Sequence, residues 1–336
     1  MLLAEQVREP EAERGLTRRL QLTEGLLWLR AAQGDPYAAL LCGVPGGEPE
    51  RLRGRGPLWR AATGDWVVTD HATAARALAG DGVEPVTPFG LPADPPGGID
   101  AAAGVPGELP ARCDLAAVAR RGAARALAGG DAATVELLAD AEPALDALLR
   151  PQDPERTRRA VAAGAALSGR AARPLLAATG VRLAATLAVN AVAALLAADA
   201  WGRLAAEPGL APRAVAETLR HAPPLRLLPL TVTGAPGWGD GQLAAGDRVV
   251  LLLGVANRDP AAFADPDRFD PDRPAGPVLV PGGPLAGAVD FARGYAEALL
   301  ARLAAAAPRL RADAPPVRPG RAPVTAAAAR FDVRAD

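Results

Sequence analysis

The sequence predicts a mainly α-helical protein with small β-sheets. Half of its 336 residues are hydrophobic, which is enough to bury the core of one large domain or two ordinary ones. Apolar residues recur at helical spacing through several long segments, whereas runs typical of strands are few and short. No Ser/Gly-rich linker divides the chain, so we expect a single domain over residues 1–336.

In the first third of the chain, the sequence predicts a long helix, a short strand, a second helix and a loop. Leucines at helical spacing begin after residue 15, and the charged segment 1–15 before them is expected to fray. Residues 66–69 read as a strand, and Asp70 is placed to cap a helix that runs to Leu78. Prolines and glycines crowd residues 83–99, which predicts a Pro/Gly-rich loop.

The remaining two thirds predict more helices and a strand pair. Helices are expected at about 109–129 and 132–150, from Pro174 onward, at 212–222 and at about 289–307. Strands are expected around 225–232 and 241–253 and near 329–333.

Charge and composition exclude several classes of function. The chain has 37 basic and 38 acidic residues, a formal net charge of −1, which gives no electrostatic footprint for nucleic acid or for an anionic membrane. Cys42 and Cys113 are isolated thiols and fit a reducing cytosol. His71 and His221 are scattered as well, so no metal site is predicted.

Neither a signal peptide nor a membrane span is predicted. The N-terminus lacks a basic start followed by a long apolar run. The stretch 183–200 is long and nearly uncharged, but Asn190 and Asp199 interrupt it and alanine dominates it. We expect a buried helix there and a cytoplasmic protein.

A Glu-x-x-Arg motif lies in the predicted 212–222 helix. Glu217 and Arg220 are neighbours on one helix face and are predicted to form an ion pair. Arg268, in a proline-rich run downstream, is predicted to complete a three-member charge cluster. Arginine suits this role because its planar fork bonds a carboxylate bidentately and has donors left for loop carbonyls.

The order of four C-terminal motifs resembles the cytochrome P450 superfamily. Glu-x-x-Arg is followed by the strand pair, by Ala-Asn-Arg-Asp-Pro at 256–260 and by Asp-Pro-Asp-Arg-Phe at 265–269. The resemblance implies a cytochrome P450-like fold. It also implies that Glu217, Arg220 and Arg268 are structural, locking the helix to the loop beneath the haem.

The haem-ligand cysteine loop of that superfamily is missing. The corresponding stretch, 278–288, contains no Cys, and no Cys, His, Met or Tyr occurs between Arg273 and Phe291. Thr179, at the position of the family's oxygen-activating threonine, lacks the neighbouring acid. Arg226 comes too early to match the family's propionate-binding arginine. No haem or other cofactor is therefore expected.

The N-terminal third resembles a narrower group. Residues 16–80, together with 212–273, are similar to the haem-less, cytochrome P450-like auxiliary proteins of actinobacterial antibiotic clusters. Those proteins accompany glycosyltransferases that attach deoxyaminosugars to macrolides and anthracyclines. The resemblance implies a non-catalytic protein that binds, stabilises and activates a partner glycosyltransferase in a hetero-oligomer.

Two segments are candidates for contact with that partner. Arg18, Arg19 and Trp28 lie on the first helix, although Trp28 could equally be a core residue. Asp35 and Tyr37 could also touch a partner, or Asp35 could simply belong to a loop that caps a helix.

The competing hypothesis is an enzyme or small-molecule binder that uses the emptied haem cavity. His221 could then serve as a general base, although packing at the helix end explains it better. A decaying gene is a third possibility, which the intact charge-cluster motifs argue against.

Overall fold

The computed structural model describes residues 10–108, 110–150, 154–207, 209–319 and 322–335, with backbone alone for residues 10–19 and Pro154. The longer helices within these ranges are Pro10–Ala32, Pro36–Cys42, Pro49–Arg53, His71–Leu78, Leu115–Ala128, Ala132–Ala141, Pro154–Arg170, Pro174–Ala197, Leu210–His221 and Ala286–Ala306. Two single-turn helices, Ala144–Ala147 and Leu253–Ala256, accompany them.

The helix Pro174–Ala197, here called the long helix, runs through the core. Pro174 opens it, and both carboxylate oxygens of Asp94 accept its first free N–H groups, from Leu175 at 3.0 Å and Leu176 at 2.6 Å. The helix is long and apolar enough to cross a membrane, but 72% of its most apolar window is buried inside the protein. It is therefore the core helix that the sequence predicted.

Two small sheets flank the helices. The first contains β1 (Leu58–Arg60), β2 (Trp66–Val68), β3 (Val83–Pro85), β5 (Leu227–Val232) and β6 (Arg248–Leu252) in the order β1-β2-β6-β5-β3. Its pairs are antiparallel except β2 with β6. The second contains β4 (Arg112–Asp114), β7 (Leu310–Ala312) and β8 (Asp332–Ala335) in the order β4-β8-β7. One continuous hydrophobic cluster extends from Tyr37 to Val333.

The predicted loop 83–99 was only partly right. Its first three residues form β3, at the edge of the first sheet, where the missing N–H of Pro85 is tolerated. The rest is irregular apart from a single 3₁₀ turn at Pro88–Gly90, but it is tied down. The Arg173 guanidinium donates to the carbonyl oxygens of Pro95, Pro96 and Gly97 at 2.5 to 2.9 Å.

Other predicted boundaries differ as well. Residues 10–15, expected to fray, already belong to the first helix, while residues 1–9 lie outside the described part of the chain. The predicted 109–129 helix starts only at Leu115, because β4 precedes it and Asp114 caps it through the N–H of Ala116. The predicted 132–150 helix ends at Ala141, since Pro143 has no N–H to continue it.

Candidate functional site

A buried ion pair forms the centre of the C-terminal half. On the helix Leu210–His221, the Arg220 guanidinium donates to both carboxylate oxygens of Glu217, Nε to Oε2 at 2.9 Å and Nη2 to Oε1 at 2.7 Å. Arg220 is completely buried and Glu217 is 6% exposed. This is the bidentate pair that the Glu-x-x-Arg spacing predicts.

The remaining donors of Arg220 hold the proline-rich loop. Nη1 bonds the carbonyl oxygens of Asn257 at 3.1 Å and Pro266 at 2.7 Å, and Nη2 bonds that of Arg268 at 3.0 Å. The guanidinium also lies 5.3 Å from the ring centroid of Phe263. The pair thus fastens the loop to the helix without presenting a free donor to a substrate.

The prediction that the Arg268 side chain completes the cluster was wrong. Arg273 takes that place, with its Nε 3.3 Å from Glu217 Oε1 and its other nitrogens on loop carbonyls. The Arg268 side chain is 71% exposed and comes no closer to a carboxylate than 3.9 Å, at Asp270. Residue 268 contributes only its carbonyl oxygen, because the turn at 265–268 directs its side chain outward.

Asn257 is a structural residue that sequence reasoning did not select. It is fully buried, its Oδ1 accepts from the N–H of Leu279 at 2.8 Å, and its Nδ2 donates to the Leu279 carbonyl at 2.9 Å. The only signal for it was its place in the Ala-Asn-Arg-Asp-Pro motif. Through Asn257 the cluster also positions the segment that follows residue 273.

His221 does not have the surroundings of a general base. Its Nε2 lies 2.9 Å from the carbonyl oxygen of Asp267, which requires the Nε2–H tautomer because a carbonyl can only accept. The ring packs edge-on against Phe269 at 5.7 Å. Burial, together with the positive charge of Arg258, lowers the pKa of His221. A packing role at the helix end explains all of these contacts.

Residues 274–291, the stretch that the sequence resemblance assigns to the cysteine loop, offer no ligand for haem iron. Residues 274–291 are all described and carry no Cys, His, Met or Tyr. Leu279 and Leu285 fill the segment with apolar side chains that are 6% and 1% exposed. Cys42 and Cys113 lie elsewhere, in the helix Pro36–Cys42 and in β4.

The long helix is likewise shaped for packing at the position where the superfamily activates oxygen. The hydroxyl of Thr179 is fully buried and donates to the carbonyl oxygen of Leu175 at 2.7 Å, within the helix. At Gly180, a methyl group would lie 2.9 Å from Leu176 Cδ1 and 3.3 Å from Phe291 Cδ1. Because no residue of 274–291 can supply a thiolate, the residues present do not fit a thiolate-ligated haem.

The first helix, Pro10–Ala32, carries most of the large exposed hydrophobic side chains among the described residues. Among the described residues, five large hydrophobic side chains are exposed, and four of them lie on this helix: Leu22, Leu26, Trp28 and Leu29. Trp28 is 41% exposed, so it is a surface residue rather than a core residue. Arg18 and Arg19 lie in the same helix, and their side chains are outside the described part of the structure.

Arg150 holds this helix against the rest of the protein. Its Nη2 lies 3.1 Å from Glu24 Oε1, its Nη1 donates to the Leu41 carbonyl at 2.5 Å, and its guanidinium carbon lies 5.8 Å from the Trp28 ring centroid. The Arg150 side chain is only 2% exposed. These contacts fix the position of the first helix, and with it the position of its exposed apolar face.

The two other candidate contact residues serve the fold. Asp35 caps the helix Pro36–Cys42 by accepting from the N–H of Ala38 at 2.8 Å, and its second oxygen accepts from Ala62 at 2.7 Å. The prediction of Tyr37 as a partner contact was wrong, because its side chain is completely buried. Burial also raises the pKa of the Tyr37 phenol well above its usual range.

Comparisons with known proteins first define the class. The cytochrome P450 family model matches residues 209–277, which contain the charge cluster. A crystal structure of Mycobacterium smegmatis CYP164A2 superposes with a TM-score of 0.68 at 20% identity, covering 93% of this chain and all of that one. A mutant of P450 EryK in complex with erythromycin B superposes with a TM-score of 0.66 at 21% identity, covering 85% of this chain and 95% of that one. The fold is that of cytochrome P450.

Curated relatives then define the family. DesVIII of Streptomyces venezuelae is 37% identical over 93% of this chain and 92% of its own length. EryCII of Saccharopolyspora erythraea, described as a cytochrome P450 family protein, is 36% identical over 77% of this chain and 81% of its own length. AknT of Streptomyces galilaeus is 31% identical over 94% of this chain and 95% of its own length. The chain belongs to the family of cytochrome P450-like auxiliary proteins that accompany antibiotic glycosyltransferases.

Proposed function

We propose that this protein is a non-catalytic partner of a glycosyltransferase that transfers a nucleotide-activated deoxyaminosugar to a macrolide or anthracycline aglycone. It binds that enzyme in a hetero-oligomer in the cytoplasm, stabilises it and raises its activity, without haem. The observation that carries the proposal is the exposed apolar face of the first helix, on a protein that belongs to a family of auxiliary proteins.

The exposed leucines form one continuous face. Leu22, Leu26 and Leu29 follow the i, i+4, i+7 pattern of a single helix side and are 68%, 57% and 50% exposed. Elsewhere in the described residues, only Val317 exposes a comparable apolar side chain. Folding leaves these leucines in water, and an apolar helix face of this kind is typical of a docking surface. We assign the glycosyltransferase as its occupant.

Activation follows from differential binding. A partner that binds only the competent conformation of an enzyme shifts its conformational equilibrium toward that conformation, with coupling energies of about 1–3 kcal/mol. Binding to the folded enzyme also stabilises it by mass action. Neither effect requires a reactive group on this chain, which agrees with a charge cluster whose donors are committed to the loop.

The proposal is tested by expressing the glycosyltransferase alone and together with this protein. We expect a stable copurifying pair, a strongly increased yield or rate of sugar transfer, and no absorption band of thiolate-ligated haem. Equal behaviour of the enzyme in both preparations, with no complex, would contradict the helper function. Turnover of a substrate by this protein alone would favour the competing enzyme hypothesis.

Variants of the first helix locate the interface. Leu26→Asp combined with Leu29→Asp places two charges in the proposed contact, and we expect at least about 30-fold weaker binding of the partner, as for an interface hot spot. Val317→Asp is the control, because it introduces an acidic charge at an exposed apolar residue away from the first helix. If both variants weaken binding equally, the docking surface does not lie on the first helix.

A further inference from the structure

Arg226 is a half-buried arginine that none of the roles described above uses. Its backbone is fixed, because its N–H donates to the carbonyl oxygen of Val324 at 2.7 Å and its own carbonyl oxygen accepts from Gly254 at 3.1 Å. Its guanidinium has neither a hydrogen bond nor an ion pair among the residues that the structure describes. None of its nitrogens is shut off from solvent, so its five N–H donors are open to a ligand.

The surroundings of Arg226 are positively charged. Burial and the charges of Arg318 and Arg258 lower the pKa of Arg226, and no carboxylate of the described chain offsets these two charges. An unpaired cation that is half-buried beside other cations costs folding free energy. An anion bound between the side chains removes that cost.

Arg318 is held in place by neutral groups alone. Its Nη2 donates to Asn190 Oδ1 at 2.7 Å and its Nη1 donates to the carbonyl oxygen of Ala326, and no carboxylate in the described ranges pairs with it. Asn190 in turn donates to the carbonyl oxygen of Ala222 at 2.8 Å, four residues before Arg226. Arg318 is an exposed side chain, so this pair of arginines is open to solvent.

Arg258 differs from the other two because it is already paired. Its Nη1 lies 3.4 Å from Asp267 Oδ1, and its Nε and Nη2 donate to the carbonyl oxygen of His221 at 2.8 and 2.6 Å. Its charge is therefore offset. Arg226 and Arg318 remain as two positive charges that no carboxylate among the described residues neutralises.

We propose that Arg226 and Arg318 form a binding site for a phosphate dianion, supplied as inorganic phosphate or as the phosphate group of a small metabolite. Two unpaired guanidinium groups balance the two charges of the ligand, and the planar arginine fork matches the geometry of phosphate oxygens. A carboxylate carries one charge and would neutralise only one of the two arginines. The site goes beyond the proposed helper function and does not depend on it.

Equilibrium dialysis of the purified full-length protein against labelled inorganic phosphate at low salt tests the site. We expect one phosphate bound per chain and weaker binding as sodium chloride is added. Sodium acetate should compete at least about tenfold less well than unlabelled phosphate. No saturable binding, or acetate that competes as well as phosphate, would overturn the site.

Competition with a phosphate monoester distinguishes the two sources of the anion. Glucose 6-phosphate is the probe, and both outcomes support a phosphate site. A monoester that competes better than inorganic phosphate shows that the organic part is bound as well, which favours a metabolite. A monoester that competes equally or less well favours free phosphate.

Variants tie the binding to the two arginines. Arg226→Gln and Arg318→Gln should each weaken phosphate binding at least about tenfold. Arg309→Gln is the matched control, because it removes the same charge from an exposed arginine next to β7 in the second sheet, and should leave the affinity unchanged. If all three variants behave alike, the two arginines are not the site.

Thermal unfolding separates a binding role of Arg226 from a purely structural one. Without phosphate, Arg226→Gln should be at least as stable as the original protein, because it removes an unpaired positive charge. Phosphate should raise the unfolding midpoint of the original protein more than that of the variant. Either a destabilised variant in the absence of phosphate or an equal gain from phosphate in both proteins would overturn the assignment. None of these measurements needs a glycosyltransferase, so their outcome is independent of the helper function.

Discussion

The charge cluster buries charged side chains, whereas the first helix exposes apolar ones. In the cluster, Glu217 and Arg220 are almost entirely removed from water, and Arg220 donates all its N–H groups to Glu217 and to the loop. On the first helix, Leu22 and Leu26 stay more than half exposed. The cluster is explained by the fold of this chain, whereas the leucines need a second molecule to explain them.

The largest expected effect comes from opening the cluster. Arg220→Ala leaves the buried Glu217 carboxylate without its bidentate partner and should lower the free energy of unfolding by about 3–5 kcal/mol. Urea denaturation followed by circular dichroism measures the change. A variant as stable as the original protein would mean that the cluster is not what holds the loop on the helix.

A smaller effect distinguishes the observed third member of the cluster from the predicted one. Arg273→Ala removes the 3.3 Å contact to Glu217 and three bonds to loop carbonyls, and should cost about 1–3 kcal/mol. Arg268→Ala is the matched control, since its side chain is exposed, and should change stability by less than about 0.5 kcal/mol. The reverse ranking would contradict the geometry of the loop.

Charges on the first helix should leave the fold nearly intact. Leu26→Asp with Leu29→Asp alters exposed positions only, so we expect the free energy of unfolding of the isolated protein to change by about 0.5 kcal/mol or less. Thermal unfolding without the partner measures this. A large loss of stability would show that the leucines serve the core, and the loss of binding could then no longer be assigned to an interface.

The smallest effect is a pH dependence at the end of the cluster helix. The pKa of His221 is lowered in the folded protein, so the unfolded chain binds a proton first as the pH falls below about 6.5. Stability contributed by neutral His221 is complete above that pH and is lost on acidification. We expect His221→Asn to lose less stability than the original protein between pH 7.5 and pH 5.5, and equal losses would contradict a half-buried neutral imidazole.

Local sequence patterns predicted much of the fold and the ion pair at the centre of the cluster. The Asp70 cap, the helix-starting Pro174 and the apolar stretch of the long helix predicted elements that the structure contains. The Glu217–Arg220 pair followed from a three-residue spacing on a helix, where backbone geometry alone decides which side chains meet.

The remaining contacts depend on long-range geometry that no local pattern encodes. Whether Arg268 or Arg273 reaches Glu217 is decided by turns within an irregular loop, where side-chain direction has no period. Tyr37 looked like a surface residue beside a capping aspartate, yet the packing of its helix buries it completely.

The most direct test of the helper function is the initial rate of sugar transfer by the partner glycosyltransferase as this protein is titrated into the assay. We predict a rate that rises steeply and saturates once the enzyme is fully bound, with no product formed by this protein alone. The double variant Leu26→Asp/Leu29→Asp should need a far higher concentration to reach the same plateau. A rate that is independent of this protein at every concentration would contradict the account.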